Sequence, residues 1–178
     1  MFNNTRFICR ELEKQRDLLY QLAYSWCHQP ALADDLVQDT MVKALRSAGQ
    51  LQDTRAVRSW LTRILSNCWY DHLRSRRETV DIDSLPADKH PAIPCATERQ
   101  DMVTRVRHMI EQLPDGQRQV ITLVDLAGFS YAEIAEILDI PIGTVMSRIC
   151  RARKVLKVAL AEYDPRHEIA RARLRRVK

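Results

Sequence analysis

Residues 128–153 read GFSYAEIAEILDIPIGTVMSRICRAR, and this stretch decides the fold of the second half of the chain. Ser130 and Glu133 have the spacing of a capping box, which predicts that a helix begins here. The apolar residues that this helix is expected to bury are Ile134, Ala135, Ile137 and Leu138. Segment 139–143 contains a proline and a glycine and is expected to end the helix.

A second, arginine-rich helix is expected directly after this break. Thr144 is the expected cap, and residues 145–157 carry a buried stripe at helical spacing, namely Val145, Ile149, Ala152 and Leu156. Two short helices joined by a short break, the second one basic, indicate a helix-turn-helix. An ordinary helical hairpin with a basic surface is the alternative.

In a helix-turn-helix the second helix enters the major groove of DNA with its N-terminal residues at the bases. The expected base-contacting residues are Thr144, Met146, Ser147, Arg148, Cys150 and Arg151. Arg153 and Lys154 are expected to contact phosphates.

Two further helices are expected before this pair, so that residues 102–163 form a four-helix domain. One extends from about Met102 to Gln112, and the next passes through 120–126, with Pro114 in its first turn and Gly128 after its end. A basic tail, 164–178, follows.

The formal charge of +5 is unevenly distributed along the chain. Residues 1–77 carry +4 and residues 144–178 carry +8, whereas residues 78–101 carry −4. Segment 78–101 is also proline-rich and lacks a helical period, so we expect an extended acidic linker between two small helical domains. A tether and a segment that acquires order on a partner are both compatible with this composition.

Residues 1–77 are expected to form the first domain, with helices over 11–26, from about 31 to 45, and over 57–77. The third of these helices buries Leu61, Ile64, Leu65 and Cys68. Its opposite face carries Arg63, Asn67, Tyr70, Asp71 and Arg74 at steps of three and four residues. This mixture of groups suits contacts to bases and phosphates, although a solvated face with local ion pairs is the alternative.

Composition favours an all-α fold, since the chain has only four glycines and abundant Leu, Ala, Arg and Glu. The five cysteines include no C-x-x-C pair, which argues against a disulfide framework or a zinc site. Cys27 and Cys68 are either redox-sensitive thiols or small buried apolar groups. With no nucleotide-binding or hydrolase motif and no membrane-length apolar run, we expect a cytoplasmic protein that is not an enzyme and needs no metal or cofactor.

Two sets of motifs resemble a known family. Residues 128–153, quoted above, are similar to the promoter-reading helix-turn-helix of extracytoplasmic-function (ECF, group IV) sigma factors of the sigma-70 family. The strings ADDLVQDT (33–40), WLTRILSN (60–67) and DHLRSRR (71–77) resemble the domain of those factors that binds polymerase and reads the −10 element. The resemblance covers roughly residues 10–77 and 102–160.

This resemblance implies an initiation factor that binds core RNA polymerase, directs it to one promoter class and traps an unstacked base as the promoter melts. It places Asp34, Asp35, Gln38 and Asp39 against the clamp helices of the largest catalytic subunit, although the residues alone indicate helix-dipole and capping roles for Asp34 and Asp35. The stretch from Leu123 to Phe129 is implied to meet the flap of the other large subunit.

For the promoter, the resemblance places Asn67 and Asp71 near the flipped −10 base. The residues implied to touch the −35 duplex are Tyr131, Ser147, Arg148, Arg151 and Arg153. Met146 stands where Lys or Arg is frequent in the family, which replaces a phosphate or guanine contact by an apolar one. Asp139 stands where Gly is frequent, and Asp tolerates the left-handed turn conformation better than most residues.

The family resemblance also implies an anti-sigma partner that holds both domains away from polymerase. The acidic linker could imitate RNA in the polymerase channel, or serve only as a tether. An autonomous helix-turn-helix regulator and a sigma-like decoy for an anti-sigma factor are the alternative functions.

Overall fold

The computed structural model describes residues 2–79 and 106–161, which are all-helical and contain no strand. The α-helices are α1 (Phe2–Cys27), α2 (Pro30–Arg46), α3 (Val57–Thr79), α4 (described over 106–111), α5 (Asp115–Asp125), α6 (Tyr131–Leu138) and α7 (Ile142–Ala161). Short 3₁₀ turns at Ala48–Gln50 and Thr54–Ala56 join α2 to α3. The all-α prediction is confirmed. Most of the expected linker 78–101 and the whole tail 164–178 lie outside the described residues, while 78 and 79 belong to α3.

Helices α1, α2 and α3 form an amino-terminal group around one apolar core. Leu19, Leu22, Leu61 and Leu65 are almost completely buried at its centre. The expected start of the first helix near residue 11 is wrong, because α1 begins at Phe2 and its extra turns bury Ile8. Ile8 and its neighbour Phe7, which also packs against the core, were too weak a periodic signal to predict this extension.

The turn between α1 and α2 depends on His28, which has a left-handed backbone with φ 54°. Pro30 then occupies the first turn of α2, where its missing N–H leaves no hydrogen bond unmade. Because α2 begins at residue 30, Asp34 and Asp35 lie beyond its first turn, and its N-cap, Gln29, makes no side-chain capping bond. The capping interpretation of the two aspartates is therefore wrong.

The buried stripe of α3 follows the prediction. Leu61, Leu65 and Cys68 are buried, and Ile64 is half-buried against them. Thr40 of α2 donates its hydroxyl to Leu36 O at 2.7 Å and lies 3.8 Å from Cys68 Sγ. Cys68 thus behaves as a small apolar group between two helices.

Helices α4 to α7 form a carboxy-terminal group whose α6–α7 pair has the expected helix-turn-helix arrangement. Ser130 and Glu133 make both bonds of the capping box at the start of α6. Asp139 ends α6 in the left-handed conformation, with φ 52°. Val145, Ile149 and Ala152 are buried as predicted, and Leu156 packs beside them.

The predicted start of the arginine-rich helix, α7, is wrong, because Thr144 does not cap it. Helix α7 begins two residues earlier, at Ile142. The Thr144 N–H donates to Pro141 O at 2.8 Å, which places Thr144 inside the first turn. Proline precedes a helix readily, so the break after α6 is shorter than the sequence indicated.

The two groups pack directly on each other, and we call the contact between them the junction. Trp26 of α1 and Thr122 of α5 lie at its centre, and both side chains are buried. Apolar residues of both groups therefore belong to one continuous core. Within residues 2–79 and 106–161, no helix is long and apolar enough to cross a membrane.

Candidate functional site

An exposed strip runs along α2 on the side away from the core. All four residues implied to contact polymerase, Asp34, Asp35, Gln38 and Asp39, are exposed. The opposite side of α2 buries Ala33, Leu36, Val37 and Ala44, which fixes the direction of the strip.

The same strip contains two apolar residues that sequence reasoning missed. Val42 is 45% exposed and Leu45 is 38% exposed. They follow Asp35 and Gln38 at helical steps, so the acidic surface continues into an apolar one. The signal was present in the sequence, since both fall outside the buried stripe that Val37, Met41 and Ala44 define.

Four of the five residues predicted on the polar face of α3 line one groove. The groove is lined by Asn67, Tyr70, Asp71 and Arg74, together with Lys43 of α2 and Asp115 of the carboxy-terminal group. Arg63 is exposed but is not among the lining residues. Lys43 Nζ lies 3.0 Å from Asp71 Oδ2, and this hydrogen bond raises the pKa of Lys43.

Groups of both signs and an aromatic ring therefore meet at one concave surface. An amide and a carboxylate can pair with base edges, while Arg74 and Lys43 can bind phosphates. The groove is thus chemically suited to an unstacked nucleotide.

The outward face of α7 carries most of the residues predicted to contact DNA. Met146, Ser147, Cys150, Arg151, Arg153 and Lys154 are exposed, whereas Thr144 and Tyr131 are half-buried. Ser147 Oγ donates to Thr144 O at 3.0 Å, which holds the serine against its own helix. Arg153 Nη2 lies 3.4 Å from Asp125 Oδ1 in an exposed ion pair, so this guanidinium is already oriented by its own domain.

Arg148 differs from the other predicted base readers, since it points into the junction. It is half-buried, and its guanidinium lies so close to Gly116 that a Cβ there would come within 3.0 Å of it. Burial raises the pKa of Tyr70, and the neighbouring Arg148 charge and hydrogen bond oppose that rise. One predicted −35 reader thus contacts one predicted −10 reader.

The polar contacts of the junction were not foreseen from the sequence. Trp26 Nε1–H donates to Thr122 Oγ1 at 2.9 Å, and Tyr70 O–H donates to Gln119 Oε1 at 2.7 Å. Arg118 donates to Trp26 O at 2.6 Å and also to the carbonyls of Glu111 and Leu113. Burial lowers the pKa of this guanidinium, although nearby carboxylates oppose the shift.

Two further pairs complete the junction. Arg58 donates to Ala127 O, and its guanidinium lies 4.7 Å from the centre of the Phe129 ring. His28 Nδ1 lies 3.1 Å from Glu111 Oε1, yet burial lowers the pKa of His28 against that attraction. No local sequence pattern predicts such pairs, because the partners are far apart along the chain.

Most apolar residues of the stretch implied to meet the polymerase flap are interior. Leu123, Ala127 and Phe129 are buried in the shared core, while Leu126 is 51% exposed. Leu126 is therefore the apolar side chain of this stretch that offers the largest surface to a partner.

The described residues contain no group of three or more His, Cys, Asp or Glu side chains placed to hold a metal ion. Cys27 is half-buried, with its thiol directed to Gln29 O at 3.3 Å, and burial raises its pKa. A raised pKa disfavours the reactive thiolate, so Cys27 is a poor redox sensor in this state.

Comparison with known families identifies the proteins that this chain resembles. Residues 12–79 match the family described as Sigma-70 region 2, and residues 104–156 match Sigma-70, region 4. The chain is also 36% identical, over 129 residues, to the ECF RNA polymerase sigma factor EcfG of Rhodopseudomonas palustris, covering 72% of this chain and 71% of the relative. The chain belongs to the ECF sigma factors of the sigma-70 family.

Other relatives of this sigma factor support the assignment. It is 31% identical over 159 residues to the RNA polymerase sigma-H factor of Pseudomonas aeruginosa, which covers 83% of this chain and 82% of the relative. It is 34% identical over 134 residues to the ECF RNA polymerase sigma-E factor of Escherichia coli K12, covering 68% of this chain and 70% of the relative.

Solved structures show that the sigma factor shares its fold with related proteins. The sigma factor RpoE of Bartonella quintana, crystallised with the anti-sigma factor NepR, matches with a TM-score of 0.69 and 30% identity, over 85% of this chain and 95% of that chain. CnrH, in complex with the cytosolic domain of CnrY, matches with a TM-score of 0.62 and 26% identity, over 88% and 89% of the two chains. The predicted family resemblance is confirmed.

Proposed function

We propose that this sigma factor binds core RNA polymerase through the exposed strip of α2 and recruits it to a promoter through two separate DNA-reading faces. The groove on α3 reads the −10 element, and the outward face of α7 reads the −35 element. The observation that carries this proposal is the placement of these two chemically suited surfaces on the two family-matched parts of one chain.

The strip on α2 supports a polymerase contact through its composition. Exposed carboxylates beside the exposed Val42 and Leu45 combine electrostatic steering with apolar burial, which is how protein interfaces gain rate and affinity together. In this proposal residues 1–77 act as the polymerase-binding and −10 domain.

The second part of the proposal concerns residues 102–163, which act as the −35 domain. Exposed Arg151 and Lys154 supply phosphate or guanine contacts, and Ser147 supplies a short polar group between them. Leu126 is the proposed contact for the polymerase flap, with 78–101 as the linker between the two domains.

The chain supplies specificity in this proposal, and the polymerase supplies the chemistry, so the sigma factor is not itself an enzyme. An anti-sigma factor is a further proposed partner, because the structure of the Bartonella sigma factor contains one. Such a partner would act by holding the two DNA-reading faces away from a promoter.

Run-off transcription with core polymerase tests the proposal. Core polymerase plus the chain is expected to transcribe from a promoter selected out of a random library, whereas either component alone is inactive. Gln38→Ala together with Asp39→Ala should reduce recruitment without changing the fold, since both residues are exposed. Glu13→Ala, an exposed change on α1, is the matched control.

The same promoter duplex separates this function from its alternatives. A sigma factor should bind the duplex weakly alone and tightly with core polymerase. Equal, tight binding without polymerase would instead identify an autonomous regulator, and absence of any transcription despite polymerase binding would identify a decoy.

A further inference from the structure

Two large apolar side chains lie exposed at the N-terminal end of α7. Ile142 is 49% exposed and Met146 is 54% exposed. They are four residues apart and therefore neighbours on one face of the helix, which exposed Cys150 extends by another turn. These two side chains lie outside the buried stripe of α7, which Val145, Ile149 and Ala152 form.

The charges around this apolar pair indicate its partner. Arg151, Arg153 and Lys154 are exposed on the same helix, so the surface suits a polyanion. Within the major groove, the C5-methyl of thymine is the apolar group that base edges present to a helix. Met has no donor for guanine or phosphate, and its flexible thioether adapts to small apolar targets.

We propose that Met146 is a specificity-determining residue that contacts the C5-methyl group of one thymine in the −35 element, with Ile142 enlarging the apolar surface. This inference rests on the proposed role of α7 in reading that element.

Selection from a library of randomised −35 sequences tests the assignment, using holoenzyme assembled from core polymerase and the full chain. Wild-type holoenzyme is expected to enrich thymine at one position. Met146→Ala should lose that preference and keep the preferences at the other positions. Because Met146 is exposed, this change leaves the core intact.

Removing the methyl group from the DNA gives the sharper measurement. Replacing the selected thymine by deoxyuridine should weaken wild-type holoenzyme binding about two- to fivefold, in line with the loss of one methyl contact. Binding by the Met146→Ala holoenzyme should be the same on both duplexes.

Val155→Ala is the matched control, since Val155 is 48% exposed on the same helix. It lies nine residues from Met146 and therefore about half a turn around the helix from it. This variant should keep both the thymine preference and the deoxyuridine effect. Retention of the preference by Met146→Ala, or an equal deoxyuridine effect in both proteins, would overturn the inference alone. Failure of wild-type holoenzyme to enrich any −35 element would overturn the proposed function as well.

Discussion

Trp26 connects the two helical groups through a buried hydrogen bond. It is 1% exposed in the shared core and donates its indole N–H to Thr122 across the junction. A buried hydrogen bond of this kind contributes little net stability. Removing Thr122 leaves the indole N–H unpaired, whereas removing the indole takes a donor from Thr122 Oγ1, whose own hydroxyl still donates to Arg118 O at 2.8 Å.

Trp26→Phe should therefore lower the free energy of unfolding by about 1–3 kcal/mol. Thr122→Val removes the other partner, and the double variant completes a thermodynamic cycle. We expect a coupling energy of about 0.5–1.5 kcal/mol, measured by urea denaturation. Strictly additive effects would show that this bond does not form in solution.

The backbone conformation of Asp139 was predictable from its residue type. The sequence predicts that Asp139 tolerates the left-handed turn conformation, and the structure gives it a φ of 52°. The prediction succeeded because the αL penalty is local and depends on the residue type.

Asp139→Val should lower stability by about 1–2 kcal/mol, because a β-branched residue tolerates this conformation poorly. Asp139→Gly should stay within about 0.5 kcal/mol of the wild type. Asp139 is exposed, so neither change disturbs packing. Thermal melting of the two variants checks the ranking, and a Val variant as stable as the Gly variant would refute it.

At the scale of the element, α6 depends on its capping box. Ser130 N–H donates to Glu133 Oε2 at 2.8 Å, and Glu133 N–H donates to Ser130 Oγ at 3.3 Å. The hydrogen bonds from Ser130 lower the pKa of Glu133. Since α6 precedes the turn that orients α7, fraying of α6 should also weaken the proposed −35 contact.

Ser130→Ala should lower the free energy of unfolding by about 0.5–2 kcal/mol. The Glu133 contribution is present above the ordinary carboxyl pKa of about 4.3 and is lost as the pH falls through the lowered value in the folded protein. Glu133→Gln should therefore flatten the acid limb of the stability–pH curve. If the free energy of unfolding of that variant falls at acid pH as it does in the wild type, the ionised Glu133 carboxylate does not stabilise the cap.

Element boundaries were predictable where the signal is local. Pro30, Gly128 and the Ser130–Glu133 pair each mark a helix end that the structure has within a residue or two. The sequence offers two helix starts that lie two residues apart, one directly after the proline and one at Thr144. The structure uses the first, so the predicted cap at Thr144 was wrong. The start of α1 was missed because its first turns are held by tertiary packing of Ile8, which local patterns do not report.

The geometry of the candidate site was likewise predictable only where it depends on a local sequence pattern. Exposure of the α2 and α7 faces followed from helical periodicity, whereas the position of Arg148 did not. Its surroundings depend on how two groups of helices dock, and the sequence predicted two domains without predicting their contact. Nothing in the local pattern around Arg148 distinguishes it from exposed Arg151.

At the scale of the whole molecule, the junction packs together the two helical groups that carry the proposed DNA-reading faces. The −10 and −35 elements are centred about 25 base pairs apart, which is about 85 Å along the duplex at about 3.4 Å per base pair. A compact chain of 178 residues has a radius of gyration of about 16 Å. If the two faces read these elements as proposed, the junction opens before one molecule binds both.

The chemistry of the junction is consistent with opening. Four of its buried nitrogen atoms have no hydrogen-bond partner among the described residues: His28 Nε2, Arg118 Nε, Gln119 Nε2 and Arg148 Nη1. Opening the junction would give these nitrogen atoms access to water or DNA as hydrogen-bond partners.

Energy transfer between dyes at exposed positions 13 and 157 should report this opening. We expect efficient transfer in the free chain and a large decrease once core polymerase and promoter are added. A second dye pair at exposed positions 13 and 50, both within the amino-terminal group, should not change. Equal transfer from the first pair in both states would show that the junction persists on DNA.

The central claim is that two separate faces of this sigma factor read two separate promoter elements. Footprinting of holoenzyme on one selected promoter, combined with permanganate reactivity of opened thymines, tests it most directly. Asn67→Ala should abolish opening near −10 and keep protection at −35, while Arg151→Ala should weaken −35 protection. If both variants protect and open the promoter as the wild type does, the assignment of the two faces is wrong.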